Sequence, residues 1–287
     1  METRIKKNFN LLNGKCTIIP FVSGGDPDIK NSTEILKSFA KNGAKILECG
    51  FNFNAPVSDG DPVQNSSYRA LQNGAYLDKV FEIIKEFRKD YKEQGIILMG
   101  YWNVIINFGE DNFLKKCKEV GIDGLIISDL PYPENIPFVK KCRNFGVTFC
   151  QLIAPTTPNE RISKINEYAD EMIYYISMLG VTGSALKNSP EDIQKKYMEI
   201  KKLCPNKRIV IGFGITKEVI KKLKNNVHGL VIGSQICSAI EKSIENGQNS
   251  AALEASTKLY KSLLNEVKNW IGSQKKYQNL KLQQKEW

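Results

Sequence analysis

Short runs of β-branched and other apolar residues alternate along the chain with longer stretches in which apolar positions recur every three or four residues. The short runs predict strands at Thr17–Ser23, Ala44–Glu48, Ile96–Tyr101, Gly124–Ser128, Thr148–Ile153, Met172–Ser177, Arg208–Gly212 and Gly229–Ile232. They are apolar nearly throughout, which suits parallel strands covered on both faces. The periodic stretches between them predict helices at Lys30–Asn42, Leu77–Glu93, Glu110–Val120, Glu134–Phe145, Pro158–Tyr168, Pro190–Leu203, Lys217–Lys224 and Gln235–Asn246. Such alternation points to repeated right-handed βαβ units. Eight of them fit a closed α/β fold, the (β/α)8 or TIM barrel, better than an open sheet. Two further helices stand outside the count: Arg4–Leu12, placed to close the barrel bottom, and Ser250–Ile271. The tail Gly272–Trp287 is polar and rich in Lys and Gln, so it is expected to be irregular or helical only on contact. Nothing splits the chain internally, so residues 1–272 read as one barrel domain and 273–287 as a tail.

Composition narrows the function classes. The 287 residues, 41% hydrophobic and 25% charged, are ordinary for a globular protein. No apolar run approaches the roughly 18 residues a membrane span needs. The basic N-terminus METRIKKNFNLLNGK lacks the apolar stretch of a signal peptide. The expectation is a soluble, cytoplasmic protein without membrane partners. The net charge of +10 is mostly Lys at helical spacing, as in DIQKKYMEIKKLC, which reads as solvated faces and not as a nucleic-acid footprint. Seven scattered cysteines form no C-x-x-C pair and read as buried small hydrophobes. One histidine, His228, excludes any two-His metal site, and its place before GLVIGS reads as a strand edge. Acid–base work is left to carboxylates, Tyr or Lys.

In a barrel, chemistry sits at the carboxyl ends of the strands. Glu48 ends the second strand, and Asp59 follows eleven residues later in ECGFNFNAPVSDGDPVQ. Two carboxylates reaching one mouth from different supports can hold different protonation states. The same residues also fit a plain Asp-Gly turn and a strand-end acid paired with Lys. The loops SMLGVTGSA, IGFGIT and VIGSQI carry glycines after strands six, seven and eight. Exposed N–H groups there would suit a phosphate, although tight turns for packing would use glycine as well.

Taken together these pieces resemble the α subunit of tryptophan synthase, from about Phe21 to Ser238. The resemblance is carried by FVSGGDPD, then by Glu48, Phe53, Pro56, Asp59, Gly60 and Gln64 in the family's register. It continues through Tyr101 and Asn103 in GYWN, SDLP, APT, GVTG, GFGI and IGS. It implies a barrel lyase that cleaves indole-3-glycerol phosphate to indole and glyceraldehyde 3-phosphate by retro-aldol chemistry, without metal or organic cofactor, beside a β subunit. Carried over by position, Glu48 is the proton shuttle, Asp59 the carboxylate facing the indole N–H, and Tyr174 a site tyrosine. Phe21, Tyr101, Ile126 and Ile153 would line the indole slot, and Thr182 would help fix Asp59. Gly183, Gly212, Phe213, Gly233 and Ser234 would bind the phosphate. The loop after strand two departs from the family: Asn52 replaces a Pro, Asn54 a Ser, Ala55 an Asp and Asp61 a Pro. No arginine follows GVTG. In the family that loop faces the β subunit, so the missing acid bears on coupling. A stand-alone indole-releasing lyase and a weakly catalytic phosphate-binding module are the alternatives.

Overall fold

The computed structural model describes residues 2–177, 189–245 and 248–283, with backbone alone from 269 onward. Its strands, all parallel, are β1 Thr17–Ser23, β2 Ile46–Gly50, β3 Gly95–Gly100, β4 Gly124–Ile127, β5 Thr148–Phe149, β6 Gln151–Ile153, β7 Met172–Ile176, β8 Arg208–Gly212 and β9 Gly229–Ile232. The ladder runs β5-β4-β3-β2-β1-β9-β8-β7-β6. Its two end strands are separated in sequence by Cys150 alone, whose N–H donates to the Leu125 carbonyl at 2.8 Å. The nine strands are therefore the eight expected ones with the fifth interrupted at Cys150, and the sheet closes on itself.

Side-chain alternation sorts each strand into two shells. Ile19, Phe21, Ile46, Ile97, Met99, Ile126, Cys150, Met172, Tyr174, Val210 and Val231 form one buried cluster inside the barrel. The residues between them, such as Val22, Leu47, Leu98, Leu125, Ile173 and Ile211, join the larger cluster that packs against the helices. All seven cysteines are free and buried. Burial pushes the thiols of Cys16, Cys49 and Cys237 up to about 12, so they behave as packing groups. His228 sits where expected, at the foot of β9, its Nδ1 accepting the Ile209 N–H at 3.0 Å. Burial draws its pKa down to about 4, so it is a neutral, structural imidazole.

The first helix, α1 (Arg4–Leu12), closes the barrel bottom with Ile5 and Phe9, both in the interior cluster. Buried Asp123 holds it there. Asp123 takes Arg4 at 2.7 Å, Arg88 at 2.7 Å and the Ile96 N–H at 2.8 Å. Asp123→Ala would leave Arg88, only 10% exposed, without its counter-charge. We expect a loss of about 3–5 kcal/mol in denaturant unfolding, with activity per folded molecule unchanged.

Three helical features depart from the sequence expectation. The segment after β2 contains α3 (Asp61–Gln72), whose buried residues are Ser66, Ser67 and Ala70. Its inner face is polar, so no apolar period announces it. A seven-residue helix, α5 (Trp102–Phe108), is too short to show one. The C-terminal helix α12 runs Ala251–Gln283, past the expected end at Ile271 and into the polar segment expected to be irregular or helical only on contact. Among the described residues no helix is long and apolar enough to cross a membrane.

Candidate active site

The site gathers at the carboxyl ends of the strands. Glu48 lies in the middle of β2 and does not end it, because Cys49 and Gly50 still pair with β3. It shares the inward face with Ile46 and stands in register between Phe21 of β1 and Ile97 of β3. Glu48 is 1% exposed, and its Oε2 has no hydrogen-bond partner among the described residues. Burial, reinforced by the charge of Asp59, raises its pKa to about 8. At neutral pH it is a protonated acid with an uncommitted oxygen.

Asp59 is carried on the loop after β2 and is laced in place. Its N–H donates to the Pro56 carbonyl at 3.0 Å, and its carbonyl accepts Gln64 Nε2 of α3 at 2.7 Å. Its carboxylate Oδ2 accepts the Tyr101 hydroxyl at 3.0 Å, and the same hydroxyl accepts the Ser58 N–H at 3.0 Å. The Tyr101 ring stacks on Phe53, centroids 5.2 Å apart. Burial raises Asp59 to about 6, and the Tyr101 hydrogen bond opposes that rise. The mouth therefore holds one protonated and one ionised carboxyl near pH 7.

Opposite stands Tyr174 of β7, buried and facing inward. Burial and the two carboxylates hold its phenol well above the usual range, so it keeps its proton. Its ring end rests on Gly212 at the end of β8; a Cβ there would lie 1.8 Å from the hydroxyl oxygen. Only glycine fits. Phe213 then takes φ +69° and Gly214 +63°, turning the chain sharply after β8. The Ser177 hydroxyl is within reach of the carbonyls of Gly212 (2.9 Å) and Phe213 (2.6 Å) and steadies that turn. Gly233 precedes α11 (Ser234–Ile244) as its N-cap, with no side-chain cap on the helix. Uncapped N–H groups at such a terminus are suited to an anion.

Most candidate residues thus meet: Glu48, Asp59, Tyr101, Tyr174, Phe21 and Ile126 face the interior or its mouth, with Gly212, Phe213, Gly233 and Ser234 at the rim. Ile153 does not. It is fully buried in the outer cluster against the helices, while Leu152 packs on the interior cluster. The cause is the pleat: Cys150 faces in, so Leu152 does and Ile153 cannot. Leu152 and Met99 are the lining residues that sequence reasoning missed, and counting by twos from Cys150 or Ile97 would have found them. Thr182 and Gly183 lie outside the described residues. Among the described residues no group of three His, Cys, Asp or Glu side chains could hold a metal.

Tyr101→Phe tests the Asp59 environment. The substitution keeps the ring and removes the donor that favours the carboxylate. The acid limb of the rate profile should move to higher pH, with at most a severalfold loss at pH 8. A profile unmoved by the change would show that this hydrogen bond does not tune Asp59.

Residues 9–266 match the family model described as tryptophan synthase alpha chain. A tryptophan synthase alpha chain of Pelagibacter ubique is 49% identical over 232 residues, covering 81% of this chain and 87% of that one. The crystal structure of tryptophan synthase subunit alpha from Legionella pneumophila superposes with a TM-score of 0.85 at 28% identity, covering 94% of this chain and all of that one. A chain from the tryptophan synthase α2β2 complex of Pyrococcus furiosus gives 0.76 at 32% identity, covering 89% of this chain and 98% of that chain.

Proposed function

The chain belongs to the tryptophan synthase alpha chain family, and from that premise we propose that Glu48 and Asp59 divide the proton work of cleaving indole-3-glycerol phosphate. The products are indole and glyceraldehyde 3-phosphate. Glu48 gives its proton to indole C3, breaking the aromaticity of the pyrrole ring. The positive charge appears at the ring nitrogen, where the Asp59 carboxylate meets the N–H. Glu48, now ionised, takes the proton of the glycerol hydroxyl next to the ring. The carbon–carbon bond breaks, its electrons restore the indole, and the hydroxyl carbon becomes the aldehyde. Glu48 ends as it began. The chemistry needs an acid near neutrality at carbon and a fixed anion at nitrogen.

The observation that carries this reading is the pair of buried carboxyls at one mouth, Glu48 with an unpartnered Oε2 and Asp59 held by the Tyr101 hydroxyl, whose pKa values burial raises unequally. Tyr174 supports it as a neutral phenol beside them. Phe21, Met99, Ile126 and Leu152 supply apolar walls for the indole. The Gly212–Phe213 turn and the start of α11 offer backbone N–H groups to the phosphate, with Gly183 assigned there by motif and Thr182 assigned by motif to help fix Asp59. The partner is a tryptophan synthase β subunit. Ala55 and Val57, both exposed, lie on the loop that carries Asp59, which gives a partner a direct mechanical route to the carboxylate. We place the activity in the cytoplasm, where a lyase meets a charged phosphate ester that does not cross membranes.

The test is indole release from indole-3-glycerol phosphate by the purified chain, alone and with a β subunit. Slow release accelerated by β supports the coupled reading. Fast release that β does not change supports a stand-alone lyase, which Ala55 in place of the family's acid favours. No release in either case contradicts both.

A further inference from the structure

Helix α3 touches two parts of the molecule that the reaction needs at a fixed spacing. One side holds the Asp59 loop: Gln64 donates to the Asp59 carbonyl, and Ser67 Oγ meets the Phe53 N–H and carbonyl, each at 3.2 Å. The other side carries Asn65, Ser66 and Arg69. Arg69 forks onto the fully buried carboxylate of Asp26, Nε to Oδ1 and Nη2 to Oδ2, both at 2.9 Å. Ser66 adds a third hydrogen bond to Asp26 at 2.6 Å. Arg69 has one nitrogen left, and Nη1 donates at 2.8 Å to Glu241 of α11, whose Oε1 also accepts Asn65 at 3.1 Å. Helix α11 is the element that starts at Gly233–Ser234.

We propose that Arg69 is a positioning residue that couples the two ends of the substrate site, Asp59 through α3 and the phosphate-facing N-terminus of α11 through Glu241. The inference rests on the reading of those two ends given above. Geometry favours Arg over Lys for this joint, because a planar fork can grip Asp26 with two nitrogens and still reach Glu241 with the third. Asp26 anchors the joint to the end of β1, so the barrel wall is the fixed reference. A phosphate that draws on the first turn of α11 then also settles α3, and with it Asp59. Coupling of this kind is reciprocal: each ligand tightens the other by the same factor.

Glu241→Ala isolates the joint, because it removes the oxygen that accepts Arg69 and Asn65, which a Gln amide would keep. Glu241 is 35% exposed, and the buried Asp26–Arg69 pair stays intact, so the fold should persist where an Arg69 truncation could unfold the chain. Affinity for indole is measured on the full chain with and without saturating glycerol 3-phosphate, together with the melting temperature. Wild type should bind indole about tenfold tighter in its presence. In Glu241→Ala each separate affinity and the melting temperature should hold while the enhancement disappears. Enhancement that survives in the variant overturns the inference. So does a parallel fall in both affinities and melting temperature, which marks a merely structural tie, and so does wild type that binds both ligands independently. Wild type that binds neither ligand overturns the site reading itself, and the coupling with it.

Discussion

Glu48→Gln should reduce indole release by about 10²–10⁴-fold and at the same time stabilise the protein at alkaline pH. The activity loss follows from the shuttle. An amide can neither protonate indole C3 nor take the hydroxyl proton. The stability gain follows from burial. The folded pKa of Glu48 is raised from 4.5 to about 8, so the folded chain holds a proton that the unfolded chain has released. That contribution is fully present below about 4.5 and is lost as pH rises toward 8. Between pH 5 and 8 the wild type should lose up to about 4 kcal/mol relative to the variant, at about 1.36 kcal/mol per pH unit. The gap between their melting temperatures should therefore widen by several degrees from pH 5 to pH 8. Calorimetry at the two pH values checks this. A constant gap would show that Glu48 ionises normally.

Asp59→Asn should cost about 10²–10³-fold in turnover, for a different reason. Asn keeps the shape and can still accept the Tyr101 hydroxyl, so the loop should remain laced through Gln64 and Ser58. What disappears is the fixed charge facing the developing cation at the indole nitrogen. Two changes in the pH profile should accompany the loss. The acid limb near 6 should vanish, because the group that titrates there is gone. The basic limb should move to lower pH, because the Asp59 charge is one of the causes that raise Glu48. Full turnover with an unaltered profile would remove Asp59 from the chemistry.

Most of the barrel was legible because its strands are continuous apolar runs and its helices carry an apolar period. Both signals survive without knowledge of the tertiary fold. Helix α3 was not legible because it buries Ser66 and Ser67 and spends Arg69 on Asp26, so its packed side looks like a solvated one. The misplacement of Ile153 has the same root. In a strand apolar on both faces the sequence carries no sign of which face looks inward, and only the pleat decides between Leu152 and Ile153. The carboxylates were found by their places in the second strand and on the loop after it, and their roles by family motif, but which of them is protonated near neutrality was not. It depends on the burial of Glu48 and on Tyr101 arriving from β3 to meet Asp59. Asn52 shows how a departure from the family pattern can be absorbed. Its amide donates to the carbonyls of Gly24 and Ala75, both at 2.7 Å, and ties down the root of the loop.

The most direct test of this account is the pH dependence of kcat/KM for indole-3-glycerol phosphate cleavage by the wild-type chain with its β subunit. Two carboxyls of opposite protonation predict a bell, rising through about 6 as Asp59 ionises and falling through about 8 as Glu48 loses its proton. A rate that keeps climbing to pH 9, or that is flat from 5 to 9, would contradict it.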